Sequence, residues 1–179
     1  MKYIKKTLPA LLIATIFIFS QCKKNKDDEP QLPPETTTGA MTFGCKVNGK
    51  VFVPKDGGGR PGLFCQYVNL GTGPAGGWFL NIPAVDLQTR PNIGVSIETD
   101  SLLIHQGVVY PFKNTKGTVQ AFYYSGIEFK KLDNDLGELR VTKFDQVNRI
   151  ISGTFFFTGT NISSNEKINI TEGRFDIRY

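Results

Sequence analysis

The sequence predicts an all-β protein, an antiparallel β-sandwich or partly closed barrel of about nine or ten short strands. Apolar and polar residues alternate with a period of two through much of residues 41–179, as in strands that bury one face. Gly, Pro, Asn and Asp separate these runs at short intervals, and no window has the periodicity of a long amphipathic helix. At about 139 residues, this part of the chain is long enough for one β-rich domain with its own core.

The first pair of strands is predicted to be a hairpin over residues 41–53. Asn48 and Gly49 lie between two apolar runs, and this dipeptide readily supplies the two positive φ angles of a tight hairpin turn. Shorter strand candidates follow, each bounded by turn-forming residues, at 63–68, 77–82, 93–98, 108–112 and 117–124.

The last third of the chain has the clearest alternation. Leu139 and Val141 face one way along one predicted strand, and residues 145–148 are predicted to form the turn to the next strand. The terminal segment 168–179 alternates apolar with polar residues around Gly173, which we interpret as a bulge or turn inside a strand.

Residues 1–21 have the layout of a secretory signal peptide. Three lysines precede an apolar run over residues 8–19, and Cys22 follows shortly after it. The run is shorter than the roughly 20 apolar residues that cross a bilayer, so a membrane-spanning helix is the weaker interpretation. The residues before Cys22 resemble the lipobox of bacterial lipoproteins, which implies that Cys22 is acylated and anchors the mature chain in a lipid bilayer. Ordinary signal cleavage, which would leave Cys22 as a free thiol, is the alternative.

Residues 22–40 are predicted to be the lipidated cysteine and a flexible tether. They are rich in charged residues, Pro and Thr, and offer little apolar surface to offset the entropy of ordering. The charged stretch 26–29 resembles the acidic export signal that sends Bacteroidota lipoproteins to the outer face of the outer membrane. That resemblance implies a lipid-anchored, surface-exposed domain, and a merely soluble linker on a periplasm-facing anchor is the alternative.

The charge of the mature chain argues against nucleic-acid binding. The whole sequence has 21 basic and 16 acidic residues, a net charge of +5, but three of the lysines belong to the leader. Without them, 18 basic residues face 16 acidic ones and the net charge is +2. A charge this near zero, without a stripe of Lys and Arg among aromatic residues, gives no general field for capturing phosphate backbones.

Cys45 and Cys65 are predicted to form a disulfide. Each lies in a predicted strand, and an exported domain folds in a compartment where thiols tend to oxidise. The alternative is two separate buried thiols, since a disulfide needs Cα atoms within about 7 Å and sequence cannot show that distance.

The sequence contains no recognisable catalytic or metal-binding motif. His105 is the single histidine, and it has no Cys or His at ligand spacing. No nucleophile elbow or phosphate-binding loop is present. We therefore predict no catalytic residue, no metal site and no cofactor, and a hydrolase that uses two carboxylates is the weakest alternative.

Aromatic residues are the better candidates for binding a ligand. Trp78, Tyr123 and Tyr124 could present flat faces that stack on sugar rings or on a partner protein. The alternative is that they fill the core, as large side chains in a small β-domain usually do. Tyr123 and Tyr124 are neighbours on a strand, so one of them must point outward unless both faces are covered.

Together these features resemble a family of small Bacteroidota lipoproteins that carry a domain of unknown function. The matching segments are residues 43–54 (FGCKVNGKVFVP), 153–159 (GTFFFTG) and 168–176 (INITEGRFD). The resemblance implies a cell-envelope β-domain without an established activity, so it assigns no catalytic residue. The functions in play are a surface-displayed binding or accessory module, a structural or assembly protein of the outer membrane and, last, the hydrolase.

Overall fold

The computed structural model describes residues 30–179. Within that part of the chain there are eleven β-strands and no helix, so the predicted all-β class is confirmed. The strands are β1 (Thr42–Val47), β2 (Lys50–Phe52), β3 (Gln66–Asn69), β4 (Trp78–Asp86), β5 (Ile93–Thr99), β6 (Val109–Pro111), β7 (Val119–Ser125), β8 (Glu128–Lys130), β9 (Gly137–Asp145), β10 (Ile150–Thr160) and β11 (Lys167–Arg178).

All eleven strands belong to one antiparallel sheet that is not closed. Its order is β2-β1-β11-β10-β8-β7-β5-β4-β3, and β9 pairs with both β10 and β6 as a side branch. Strand β10 joins the two halves of the sheet, because most of it pairs with β9 and β11 whereas Thr160, at its end, pairs with Lys130 of β8. The arrangement is that of an open barrel or a β-sandwich, as the sequence predicts.

Both halves of the sheet contribute to one hydrophobic cluster, so the sheet curls around a single core. In β4 the inward residues are Leu80, Ile82 and Ala84, which alternate with half-buried neighbours as the period-two pattern requires. Phe112 and Phe157 meet edge to face in this core, with ring centroids 5.8 Å apart. Burying each such side chain contributes roughly 1.5–3 kcal/mol to folding.

The two ends of the sheet approach each other at a seam between β2 and β4. Beyond β2 the chain crosses to β4, where the Lys55 N–H donates to the Val85 carbonyl (3.0 Å) and the Lys55 carbonyl accepts from the Leu87 N–H (2.9 Å). The Lys55 ammonium lies 3.0 Å from the carboxylate of Asp86. These contacts hold the seam together, although β2 itself pairs with β1 alone.

The predicted turns and the bulge are present. Asn48 and Gly49 have φ angles of 47° and 81°, and they connect β1 to β2 as expected. The register of β10 against β11 shifts between Phe155 and Phe157, directly beside Gly173, so the predicted bulge is confirmed. Gly173 is required there because a Cβ would lie 2.5 Å from the Phe155 ring.

The end of the segment predicted to be a tether lies against the domain. Asp176 on β11 is 1% exposed, yet its neighbours Phe175 and Ile177 face the core on the opposite side of the strand. Residues 36–40 cover its carboxylate and donate hydrogen bonds to it, including those from the backbone N–H groups of Thr38 (2.9 Å) and Gly39 (2.7 Å). The chain therefore enters the domain over the outer surface of β11.

Candidate binding site

The three predicted binding aromatics lie in three different surroundings. Trp78 is half-buried and stacks on the ring of Tyr67, with centroids 4.8 Å apart. Tyr123 is 8% exposed and packs on Phe129 in the core. Tyr124 is 47% exposed and points to the opposite face of β7, as predicted for neighbouring residues on a strand. Of the three, Tyr124 is therefore the one that presents its ring to solvent.

Tyr124 belongs to a surface that we call the aromatic face, formed by the outward residues of β4, β5 and β7. Val85 pairs with Gly94 and Gly94 with Tyr124, while in the next row Ser96 separates Pro83 from Phe122. Gly94 has no side chain, so a groove of about 120 Å³ opens between its flanking residues. The groove is lined by Pro83, Val85, Gly94, Val95, Ser96, Phe122 and Tyr124.

A row of polar side chains runs beside the aromatic face. Asn81 pairs with Glu98, which pairs with Gln120 on its other side. The Ser96 hydroxyl donates to Oε1 of Glu98 at 2.7 Å and ties this row to the groove. Oδ1 of Asn81 is buried and has no hydrogen-bond partner among the described residues. A buried acceptor left unpaired costs roughly 1–3 kcal/mol.

Phe122 and Gly94 are parts of this site that were not singled out in the sequence. Phe122 lies two residues before Tyr124, so the period-two pattern places both rings on one face once Tyr124 is taken as outward. Gly94 gives no such signal, because its position opposite Tyr124 depends on the register between β5 and β7.

The aspartates with shifted pKa values serve the fold. Burial by itself would raise the pKa of Asp86, Asp135 and Asp176, but hydrogen bonds from neighbouring groups outweigh it and hold each pKa below the usual range. Hydrogen bonds from the side chain and backbone of Asn148 lower the pKa of Asp145 to about 2. A general acid near neutral pH needs a raised pKa, so none of these four carboxyls suits that role.

No group of three or more Cys, His, Asp or Glu side chains that could hold a metal ion occurs within residues 30–179. Asp135, in the acidic segment 133–138, is engaged by protein groups: its carboxylate accepts from the Lys167 ammonium at 2.6 Å and from the Thr160 hydroxyl at 2.7 Å.

The predicted disulfide between Cys45 and Cys65 is wrong, because the structure has both residues as free, buried thiols. Cys45 lies in β1 opposite Phe52, and Cys65 directly precedes β3, which does not pair with β1. Each thiol packs into the core as a small apolar side chain. Burial raises the pKa of both to about 12, which keeps them protonated and unreactive.

The predicted lipidation site Cys22 and the acidic stretch 26–29 lie outside the described residues. Within residues 30–179 no helix has the length and apolar character needed to cross a bilayer.

Comparison of the chain with protein-family models, with curated proteins and with solved structures finds no match. The resemblance to small Bacteroidota lipoproteins therefore stays a prediction.

Proposed function

We propose that this chain is an envelope lipoprotein, anchored in the outer membrane through acylated Cys22 and displayed at the cell surface, whose domain binds glycans on the aromatic face without catalysis. The observation that carries the binding proposal is the groove floored by Gly94 and flanked by Phe122 and Tyr124, with a polar row beside it. The anchor and its location rest on the lipobox-like residues before Cys22 and on the charges of residues 26–29.

The chemistry of a sugar ring matches this surface. One face of a pyranose is lined by C–H groups and stacks on aromatic rings, while its hydroxyls lie around the edge. The Tyr124 ring offers the stacking surface. Glu98 and Gln120 supply hydrogen-bonding groups in the polar row beside it. The shallow groove predicts modest affinity, because it buries little of each ligand.

Tyr124→Ala tests the stacking part of the proposal. A panel of soluble oligosaccharides is screened on a glycan array, and the best ligand is titrated by isothermal calorimetry. We expect Tyr124→Ala to weaken binding roughly tenfold, since it removes both the buried area and the ring geometry. Phe156→Ala is the matched control, because Phe156 is similarly exposed at 43% but lies on β10 outside the groove. Equal affinity of the two variants, or no oligosaccharide bound by the wild type, would contradict the proposal.

Gln120→Ala separates binding from folding. Gln120 is half-buried in the polar row and its side chain makes no hydrogen bond within the described residues, so the free energy of unfolding should not fall, whereas oligosaccharide affinity should. A loss of stability of several kcal/mol without a change in affinity would show that Gln120 serves the fold instead.

Protease treatment of intact cells tests the anchor and its side. Wild-type protein should fractionate with the outer membrane and be cleaved from outside, and Cys22→Ala should be released in soluble form. A wild type that is membrane-bound yet protected would contradict surface display, and a membrane-bound Cys22→Ala would contradict the lipid anchor.

A structural or assembly role is the second candidate, favoured by the free edge of β3. Within residues 30–179 this strand pairs with β4 alone, and Val68 in it and Leu70 just after it are 39% and 63% exposed. An exposed strand edge with apolar side chains is a template for strand addition by a partner. Light scattering of wild type and Val68→Lys tests this: a stable oligomer that Val68→Lys dissociates would favour the assembly role over glycan binding.

A further inference from the structure

A second pocket, which we call the seam pocket, opens at the seam between β2 and the paired ends of β4 and β5. Its volume is about 260 Å³. One wall comes from the first hairpin and the chain beyond it, and the other from β5 and β7. The apolar lining residues are Pro30, Val47, Val51, Phe52, Val53, Ile93 and Tyr123.

The seam pocket reaches from the surface into the core. Phe52 and Tyr123 line it and are each 8% exposed, whereas Val51 and Ile93 on its walls are half-buried. The opening exists because β2 is three residues long and the chain then crosses to β4 at Lys55, so none of the eleven described strands covers the gap. The result is an apolar cleft whose walls remain partly in contact with water. An apolar ligand that displaces this water buries apolar surface, and that burial favours binding.

The net charge around the opening is positive. Lys50 and Lys55 both line the pocket, and so does Asp86. Asp86 already forms an ion pair with Lys55 at 3.0 Å and accepts from the Gln88 N–H at 2.9 Å, so these two charges balance each other. The Lys50 side chain is exposed, and its ammonium has no ion-pair or hydrogen-bond partner in the part of the chain that the structure describes. The opening therefore carries one uncompensated positive charge.

We propose that the seam pocket binds a free fatty acid, with its single alkyl chain between the hairpin and Ile93 and its carboxylate at Lys50. The apolar walls select an alkyl chain, and the lysine selects an anionic head. The volume lies just below the range of about 300–1,000 Å³ that is typical of small-molecule sites, which suits one chain and excludes the two chains of a phospholipid. This site is separate from the aromatic face and does not depend on glycan binding.

Calorimetry with decanoate tests the proposal, with acetate and decyltrimethylammonium as comparison ligands. We expect decanoate to bind with a stoichiometry of one, acetate not to bind because it lacks the chain, and the cationic analogue to bind at least fivefold more weakly. Absence of saturable decanoate binding below its micelle concentration, or equal binding of the cationic analogue, would overturn the proposal.

Lys50→Glu locates the carboxylate. The residue is exposed, so the variant should keep the wild-type melting temperature while its decanoate affinity falls roughly five- to tenfold. Lys113→Glu is the matched control, because it makes the same charge change at an exposed lysine that does not line the pocket. Equal affinities of the two variants would refute the placement of the head group.

Val51→Trp fills the pocket from the edge strand and should abolish decanoate binding. If this variant does not fold, methyl NMR of the wild type decides instead: decanoate should shift the methyl signals of Val47, Val51 and Ile93 and leave the exposed Ile162 unchanged. Shifts elsewhere, or binding retained by a folded Val51→Trp, would overturn the site.

Discussion

Substituting Asp176 by Asn tests whether one buried carboxylate fastens the incoming chain to the domain. Oδ2 of Asp176 accepts from the Thr36 hydroxyl (2.6 Å) and from the backbone N–H groups of Thr38 (2.9 Å) and Ala40 (3.2 Å). Oδ1 accepts from the Gly39 N–H and the Ser152 hydroxyl, both at 2.7 Å. Donors surround both oxygens, so an amide in either orientation points its NH₂ group at another donor.

The cost of Asp176→Asn follows from these contacts. The least unfavourable orientation places the NH₂ group toward Ser152, whose hydroxyl can turn to accept, and leaves the Gly39 N–H unpaired. An unpaired donor at this half-buried position costs about 1–3 kcal/mol, and the remaining bonds lose the strengthening that a charged acceptor gives. We expect a total loss of about 3 kcal/mol in the free energy of unfolding, or a fall of roughly 6–12 °C in the melting temperature.

Urea unfolding followed by the fluorescence of Trp78, the single tryptophan, measures this loss. Asp133→Asn is the matched control, because Asp133 is exposed and the change removes the same charge. Its free energy of unfolding should stay within about 0.5 kcal/mol of wild type. If Asp176→Asn were as stable as this control, the reasoning from the hydrogen bonds of the carboxylate would be refuted.

The same carboxylate gives stability a defined pH dependence. Burial alone would raise the pKa of Asp176, but hydrogen bonds from Thr36, Ser152, Thr38 and Gly39 hold it well below the usual range. Its contribution is therefore complete above about pH 4, near the pKa of an unfolded aspartate, and is lost as pH falls toward the folded pKa. Below about pH 4 the wild type should lose stability more steeply than Asp176→Asn, and parallel curves would contradict the assignment.

Two further predictions concern the interior. Gly173→Ala should destabilise the domain by about 1–3 kcal/mol in urea unfolding, because the added Cβ would lie 2.5 Å from the Phe155 ring. Gly73→Ala is the control and should leave stability unchanged, because a Cβ there meets nothing within 4 Å. Equal stability of the two variants would refute the contact with Phe155. Cys45 and Cys65 should resist iodoacetamide in the folded protein at pH 8, because burial raises the pKa of both thiols to about 12. In denaturant without reductant both should react fully, which mass spectrometry measures as two added carbamidomethyl groups. An oxidised pair in the purified protein would contradict the free thiols.

Local patterns in the sequence predict the parts of the fold that local physics decides. Asn48 and Gly49 sit between apolar runs and turn the first hairpin, since few other dipeptides take two positive φ values cheaply. The alternation through residues 168–179 gives β11, because a strand with one buried face must alternate. Strand β8 was not predicted, since it has three residues and one inward side chain, Phe129, and so offers no period to detect.

Features that depend on distant strands could not be predicted in this way. The sequence gives no sign that β1 lies between β2 and β11 and does not pair with β3, or that Cys45 and Cys65 remain free thiols in the core. Likewise, residues 36–40 have the composition of a linker, and nothing local indicates that their donors converge on a carboxylate more than 130 residues later. Asp176 accepts the hydrogen bonds of this segment, and that pairing can be recognised only once the fold brings the two together.

The two proposed sites lie on opposite faces of the ladder between β5 and β7, so ligand binding at each can be tested independently of the other. Tyr123 lines the seam pocket from the inside of β7, and Tyr124 lines the groove of the aromatic face from the outside. Both residues pair with β5, at Val95 and Gly94, in the continuous register of the middle of the sheet. No lining side chain is common to the two sites, so a ligand at one reaches the other only by deforming this ladder. A failure of Tyr124→Ala to weaken glycan binding therefore leaves the fatty-acid site standing, and a failure with decanoate leaves the aromatic face standing.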